Sequence, residues 1–324
     1  MKKLAIIGAT GLVGQTTLCV LKEENLIDKF DVYLIVSNRS AGKVIVFDEK
    51  HYNLFELNEE ILDLNFDFAL FVAQEDISKV WVKRFAERGT VVIDNSSIFR
   101  LKENVPLIVP EINFDCVKCD EKIIANPNCS TIQLVVVLDR FKKLAKIKKV
   151  VVSSYQSVSG AGKEALQDLI QNKNDFFKCG IQNNIIAQIG YIQENGNCTE
   201  ENKIINETKK ILSDNFEVVA TTVRVPISFC HGESVYVEFC DEIDFSKLKS
   251  VLKCDYIALT DDLFYPKQCA GSNLTYVFRL RKTGKNSVAF FVIADNLRRG
   301  ASYNAVKILE NLLKKSDVTN NLVV

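Results

Sequence analysis

The chain opens on Lys3-Leu4-Ala5-Ile6-Ile7, apolar without a break from Leu4 on, the pattern of a short buried strand. It runs into Gly8-Ala9-Thr10-Gly11-Leu12-Val13-Gly14 and then a helical stretch over residues 15–21. Further apolar runs at residues 31–36, 67–73 and 90–94 predict strands. Residues 77–88 predict a helix with apolar Val80, Trp81 and Phe85, stopped by Gly89. Strands alternating with helices to about residue 125 indicate a Rossmann-type, doubly wound parallel sheet.

After Leu144 the pattern changes. Residues 148–154 form a valine-rich strand, and residues 164–170 a helix. Residues 170–197 are loop-like, with many Asn and Gln. Thr199 is placed to cap a helix through Leu212. Strands follow over residues 218–225, 235–239, 256–259, 274–280 and 287–293, several with alternating polarity, and a helix over 302–315 ends the pattern. The class is α/β: a doubly wound parallel sheet, then an α+β portion with a mixed, mostly antiparallel sheet.

Composition narrows the partners rather than the fold. Lys+Arg and Asp+Glu balance at 41 each with no charge block, so nothing points to nucleic acid or an acidic membrane surface. No apolar run reaches a transmembrane length, and the apolar start is broken at Gly8, unlike a signal peptide; a cytoplasmic protein is expected. Ten scattered cysteines suit reduced thiols. Cys116-Val117-Lys118-Cys119 is a lone CxxC without a second ligand pair, so no metal site is expected.

Candidate chemistry centres on Asn126-Pro127-Asn128-Cys129-Ser130-Thr131. Pro127 disfavours helix before it, which places Cys129 at or beside a helix N-terminus. The dipole and backbone N–H groups there favour thiolate and suit an oxyanion. An activated Cys needs a proton partner, and the chain has only His51 and His231. His51 lies in a charged stretch; His231 follows the strand that carries Arg224. The glycine turn at Gly8, Gly11 and Gly14 has the strand–turn–helix context of a dinucleotide site. The second strand ends in Ser37-Asn38-Arg39-Ser40 with no acidic residue for ribose hydroxyls, which favours NADP.

These segments together resemble the aspartate-β-semialdehyde dehydrogenase family. The resemblance spans nearly the whole chain, through Gly8 to Gly14, Arg39-Ser40-Ala41-Gly42-Lys43, Asp94-Asn95-Ser96-Ser97-Ile98-Phe99-Arg100, Val109-Pro110-Glu111-Ile112-Asn113, Asn126 to Thr131, Gln156 to Gly162, Glu200 to Lys203, Arg224-Val225-Pro226 with His231, and Asp295-Asn296-Leu297-Arg298-Arg299-Gly300-Ala301. It implies NADPH-dependent reduction of L-aspartyl 4-phosphate to aspartate 4-semialdehyde with release of phosphate, on the route to lysine, threonine and methionine. It implies Cys129 as the nucleophile that forms a thioester, His231 as general acid/base and Gln156 as the residue orienting the acyl-enzyme. By the same resemblance Arg224 grips the substrate carboxylate, Arg100 and Lys203 bind phosphate, Glu200 lies near the substrate amino group, and Asn128 belongs to the substrate site. The cofactor set it implies is Gly8, Thr10, Gly11, Leu12, Val13, Gly14, Ser37, Arg39, Ser40, Ser159, Gly160, Gly162 and Asn296. Residues 1–128 with 295–324 would bind NADP; residues 129–294 would form the catalytic and dimerisation domain of a homodimer or dimer of dimers.

The chain departs from the family pattern at Cys230-His231-Gly232, where Gly-His-Ser is usual, and at Val72-Ala73-Gln74, where Ser-Ala-Gly is common. A short segment follows Arg281. Two other readings are a related acyl-phosphate reductase, such as N-acetylglutamyl-phosphate reductase, and a non-catalytic paralogue. Retention of Cys129, His231 and Arg224 argues against the paralogue; Arg224 with Glu200 and Lys203 favours a small amino-acid substrate.

Overall fold

A computed structural model describes residues 1–321. The chain divides into two compact units, one of Met1–Pro127 plus the residues from Ala301 onward, the other Asn128–Gly300.

The first unit is built on a seven-stranded sheet of order β3-β4-β2-β1-β5-β6-β7. Its strands are β1 (Lys2–Ile7), β2 (Phe30–Val36), β3 (Val44–Phe47), β4 (Lys50–Glu56), β5 (Phe68–Phe71), β6 (Val91–Asp94) and β7 (Ile123–Ala125). All neighbours pair parallel except β3 with β4. Helices α1 (Leu12–Glu23), α2 (Glu75–Glu87) and the short α3 (Pro110–Asn113) connect them. The chain leaves β1 for β2 on one side and returns to β5 on the other, so the order reverses at the C-terminal end of β1, where such sheets bind ligands. Leu4, Ile6, Leu34, Phe68, Leu70 and Ile93 form the buried core.

The second unit carries a six-stranded sheet of order β11-β12-β13-β10-β8-β9. These are β8 (Ile147–Gln156), β9 (Glu217–Arg224), β10 (His231–Phe239), β11 (Ile257–Leu259), β12 (Thr275–Gly284) and β13 (Ser287–Ala294). The central pairs are antiparallel and the outer two parallel. Helices are α4 (Cys129–Lys142), α5 (Lys163–Gln171), α6 (Thr199–Leu212), α7 (Phe245–Val251) and α8 (Pro266–Cys269). Residues Ser130 to Asp139 of α4 are all buried. Its run Ile132-Gln133-Leu134-Val135-Val136-Val137-Leu138 is apolar nearly all round because α4 is enclosed by the sheet and by α6.

The chain then returns to the first unit with α9 (Tyr303–Asn321), which packs Ala305, Val306, Ile308 and Leu309 into that core beside α1. Asn304 Nδ2 donates to Ile108 O (2.9 Å) and to Asn126 Oδ1 (2.7 Å), fastening the returning segment.

Several element boundaries differ from expectation. Helix α1 begins at Leu12, inside the glycine motif, since Gly14 is helical. Cys198, not Thr199, is the N-cap of α6, and its N–H donates to Glu201 Oε2 at 2.8 Å. The β3–β4 hairpin was not anticipated. Its turn is Asp48-Glu49, both at positive φ (51° and 62°), a geometry usually signalled by Asn-Gly or Asp-Gly.

Candidate active site

In the first unit the glycine turn lies at the switch point of the sheet. Gly8 donates its N–H to Ile35 O (2.9 Å) at the end of β2, and Gly11 to Gly8 O (3.0 Å). A Cβ on Gly14 would lie 2.4 Å from Gly8 O and 2.7 Å from Ala9, so helix and turn meet at a distance only glycine permits. Gly11 caps α1 without a side-chain hydrogen bond, so side chains leave the first-turn amides at Leu12 and Val13 unclaimed, the donor set a pyrophosphate needs. Thr10 sits in the turn between strand and helix. Ser37 precedes a 3-10 turn, Asn38–Ser40, that carries the exposed Arg39. Arg100, also in this unit, is buried; its guanidinium is fastened to the carbonyls of Asn126 (Nε, 2.9 Å) and Asn95 (Nη2, 2.6 Å).

In the second unit Cys129 is the first residue of α4, and Asn128 is its N-cap. Asn128 Oδ1 accepts the N–H groups of Ser130 (3.0 Å) and Thr131 (3.3 Å). Those amides are therefore spent on the cap, which corrects the expectation that they would hold an oxyanion. Asn128 is held from outside as well. Its Nδ2 donates to Glu200 Oε1 and its backbone N–H to Glu207 Oε2, both at 2.7 Å. A Cβ on Gly300 would sit 2.8 Å from Cys129 Cβ, so only a glycine lets the chain pack directly on the Cys129 side chain.

His231 starts β10 and is fully buried. Its Nδ1 accepts the backbone N–H of Ser157 at 3.0 Å, which places the ring proton on Nε2. Nε2 has no protein partner among the described residues. Burial and then the charge of Arg224 push the imidazole down to about 3, so the ring is neutral. Arg224 ends β9 and donates from Nη1 to Ser157 O at 2.7 Å. Burial lowers its own pKa, opposed by Glu200 and Cys129, so Arg224 interacts electrostatically with the Glu200 carboxylate and the Cys129 sulfur alike. Gly160 lies beside both groups. A Cβ there would come within 2.9 Å of Arg224 Nη1 and 3.0 Å of His231 Nε2.

Glu200, in the first turn of α6, ties these groups together. Burial drives its carboxyl upward, but Lys203, Asn128, Arg224 and Gln156 together hold it below the ordinary range, so it is a carboxylate. Lys203 Nζ is 3.5 Å from Glu200 Oε2. Gln156, at the end of β8, donates from Nε2 to Ser130 Oγ (3.0 Å), Ser154 Oγ (3.3 Å) and Glu200 Oε1 (3.3 Å).

The structure brings Cys129, His231, Gln156, Asn128, Glu200, Lys203, Arg224, Ser159, Gly160 and Asn296 into one unit, and Gly8 to Gly14, Ser37, Arg39, Ser40 and Arg100 into the other. Gly162, at φ +100°, caps α5. Asn296 has its side chain committed to protein: Oδ1 accepts from Cys230 N and Ser157 Oγ (both 3.0 Å), and Nδ2 donates to Ser159 Oγ (3.1 Å). Cys230 is buried at φ +70°, the left-handed region that favours the family's usual glycine, and that Asn296 bond holds its N–H. Gln74 is the N-cap of α2 and makes no side-chain cap bond. Glu207 was missed by sequence reasoning, and Ser130, Ser157 and Gly300 lie in its motif segments without a role assigned to them. No local pattern shows what they touch, because each acts through a contact distant in sequence.

Thiol chemistry joined to a dinucleotide fold is the build of an oxidoreductase that handles acyl groups, and two family models narrow the class. The semialdehyde dehydrogenase NAD-binding domain matches residues 3–119 and the semialdehyde dehydrogenase dimerisation domain residues 140–299. An aspartate-semialdehyde dehydrogenase of Aquifex aeolicus is 42% identical, with 97% of this chain and 98% of the relative covered. That of Bacillus subtilis is 39% identical over 96% and 97% of the two chains. The crystal structure of aspartate semialdehyde dehydrogenase II from Vibrio cholerae complexed with ASA is 36% identical, with a TM-score of 0.89, covering 97% of this chain and 98% of that one. The chain belongs to the aspartate-semialdehyde dehydrogenase family. It is an enzyme of the aspartate pathway whose reaction interconverts aspartyl phosphate and aspartate semialdehyde with a nicotinamide cofactor.

Proposed function

We propose that the reaction runs through a thioester on Cys129, with NADP as the preferred cofactor. The observation that carries the reading is Arg224, a buried cation interacting with both the helix-capped thiol and the neutral imidazole. The Cys129 thiolate attacks the acyl carbon; a C–S bond forms, the C–O bond to phosphorus breaks, and phosphate leaves. Bound nicotinamide supplies hydride to the acyl carbon. His231 Nε2–H donates a hydrogen bond to the oxyanion of the resulting thiohemiacetal and shares its proton with that oxygen; as the C–S bond breaks, the oxygen re-forms C=O, the proton stays on Nε2, the aldehyde is freed and the Cys129 thiolate is regenerated. Gln156 orients the acyl group. Arg224 binds the substrate carboxylate, Glu200 its amino group, and Lys203 and Arg100 the phosphate.

The glycine turn and the uncapped start of α1 fit the pyrophosphate, and Arg39 with Ser37 and Ser40 the 2′-phosphate. Ser159, Gly160, Gly162 and Asn296 complete the proposed cofactor set. A homodimer forms through the sheet face of the second unit that carries Tyr155, Phe291 and Phe278, a face with an apolar hollow of about 270 Å³. Among the described residues no helix is long and apolar enough to cross a membrane, and the proposed compartment is the cytoplasm.

The test is phosphate-dependent reduction of NADP by aspartate semialdehyde. Cys129→Ala is expected to lose turnover by a factor of about 10⁴ or more; full activity in that variant refutes the thioester. Arg39→Ala is expected to raise KM for NADP about tenfold and leave that for NAD unchanged. Equal use of both cofactors by the wild type would contradict the reading of the second strand. Faster turnover of N-acetylglutamate semialdehyde would transfer the assignment to that sister reaction.

A further inference from the structure

One fully buried ionisable group of the second unit has no part in this chemistry. Glu233 lies two residues beyond His231 on β10 and is 0% exposed. It faces α4, cross-strand from Ser154 on β8 and Val292 on β13. Its carboxyl lies against Ser130 and Gln133, in the first and second turns of the helix that Cys129 begins. Neither carboxyl oxygen completes a well-directed hydrogen bond, and Gln133 Nε2 is likewise without one. Ser130, Gln133, Ser154 and Gln156 are 0–1% exposed, so bulk water does not reach the carboxyl.

We propose that Glu233 works as a neutral carboxylic acid that positions Gln156 through Ser130. Its carbonyl oxygen is the acceptor for Gln133 Nε2. Its O–H is the donor for Ser130 Oγ, the atom that accepts Gln156 Nε2 at 3.0 Å. Gln156 is thereby fixed from below, while Glu200 fixes it from the other side at 3.3 Å. An ionised Glu233 reverses the arrangement: a carboxylate only accepts, Ser130 turns its hydroxyl to it, and an uncompensated charge is buried under the nucleophile's helix.

Among the described residues, no cation lies against the carboxyl itself. On α4 the nearest titratable group is Cys129. On β10 it is the neutral His231. The inward residues of β8 (Val152, Ser154, Gln156) and of β13 (Phe290, Val292, Ala294) are uncharged, and the charged groups reached through Gln156 are Glu200, an anion, and Arg224, its register partner on β9, whose Nη1 is committed to Ser157 O and whose charge acts on Glu200 and His231. Burial accordingly holds the Glu233 carboxyl well above its ordinary range, with Gln133 and Ser130 only partly opposing. The inference rests on Gln156 orienting the acyl group, and it adds the group that orients Gln156.

The experiment compares Glu233→Leu, Glu233→Gln and Gln156→Leu, singly and combined, in the phosphate-dependent assay, each variant first shown folded by circular dichroism. Expected is a fall in kcat of about tenfold or more for Glu233→Leu with little change in KM, no further loss when it is added to Gln156→Leu, and recovery of most of the loss in Glu233→Gln. The alkaline limb of the kcat profile should move to higher pH in Glu233→Gln, which cannot ionise. Infrared difference spectra should show a protonated-carboxyl C=O band in the wild type that Glu233→Gln lacks. Folded Glu233→Leu with wild-type kcat, losses that simply add to those of Gln156→Leu, or a carboxylate in place of the acid band overturns the proposal. Wild-type turnover, and its loss in Cys129→Ala, report separately on the thioester.

Discussion

His231 and Glu233 occupy the same face of β10 and depart from their usual protonation in opposite directions. Burial, then Arg224, pushes His231 down to about 3; burial holds Glu233 well above 4.5. Their effects on stability therefore oppose. As pH falls from 6.5 towards 3, the unfolded chain takes up a proton at His231 that the folded chain refuses, so this term loses stability on acidification. Above 4.5 the folded chain keeps a proton at Glu233 that the unfolded chain releases, so that term loses stability as pH rises. Between 4.5 and 6.5 the two slopes, each at most about 1.4 kcal/mol per pH unit, cancel. Denaturant unfolding of His231→Asn over this window should show stability falling with pH, and Glu233→Gln the reverse. Parallel curves for both variants and the wild type would contradict the assigned protonation states. Neither group's state was legible in the sequence, since a His and a Glu two apart on a strand carry no mark of what covers them.

Among elements, the turn Ser157 to Gly162 shows most sharply how packing decides function. The sequence presents Gly160 as a possible close approach to a ligand or simply a turn residue. The structure sets it against the tips of Arg224 and His231, both buried. Gly160→Ala is expected to cost about 1–3 kcal/mol of stability, since those side chains must yield a few tenths of an ångström. Its effect on kcat/KM should be larger, about 100-fold, because the displaced groups are the proposed acid, His231, and the proposed carboxylate clamp, Arg224. Steady-state kinetics beside a melting curve separates the two, and wild-type kcat/KM would show that the contact is not critical. By contrast the start of α4 was legible: Pro127, the Asn128 cap and the apolar run needed only local rules. The β3–β4 hairpin was not, because Asp48-Glu49 takes left-handed geometry without the residues that announce it.

For the whole molecule, the family's dimerisation domain and the exposed aromatic face of the second sheet point to one assembly test. Tyr155 is 40% exposed and stacks on Phe291 at 6.0 Å, and Phe291 packs on Phe278 at 5.3 Å. Phe291→Asp should leave the fold intact and shift sedimentation from dimer to monomer; an unchanged dimer places the interface elsewhere.

What the sequence determined by itself is whatever short-range rules govern. It set the alternation of strands and helices, the glycine turn at the end of β1, Cys129 at a helix start, and the order of segments that carries the family. What only tertiary structure decided is the chemical state of the site. The Nδ1 atom of His231 is fixed by an amide 74 residues earlier, Ser157 by Asn296 139 residues later, and Cys129 is packed by Gly300. Tautomer, charge and donor direction follow from which groups the fold buries together. Burial is a property of the completed packing, which no stretch of chain holds on its own.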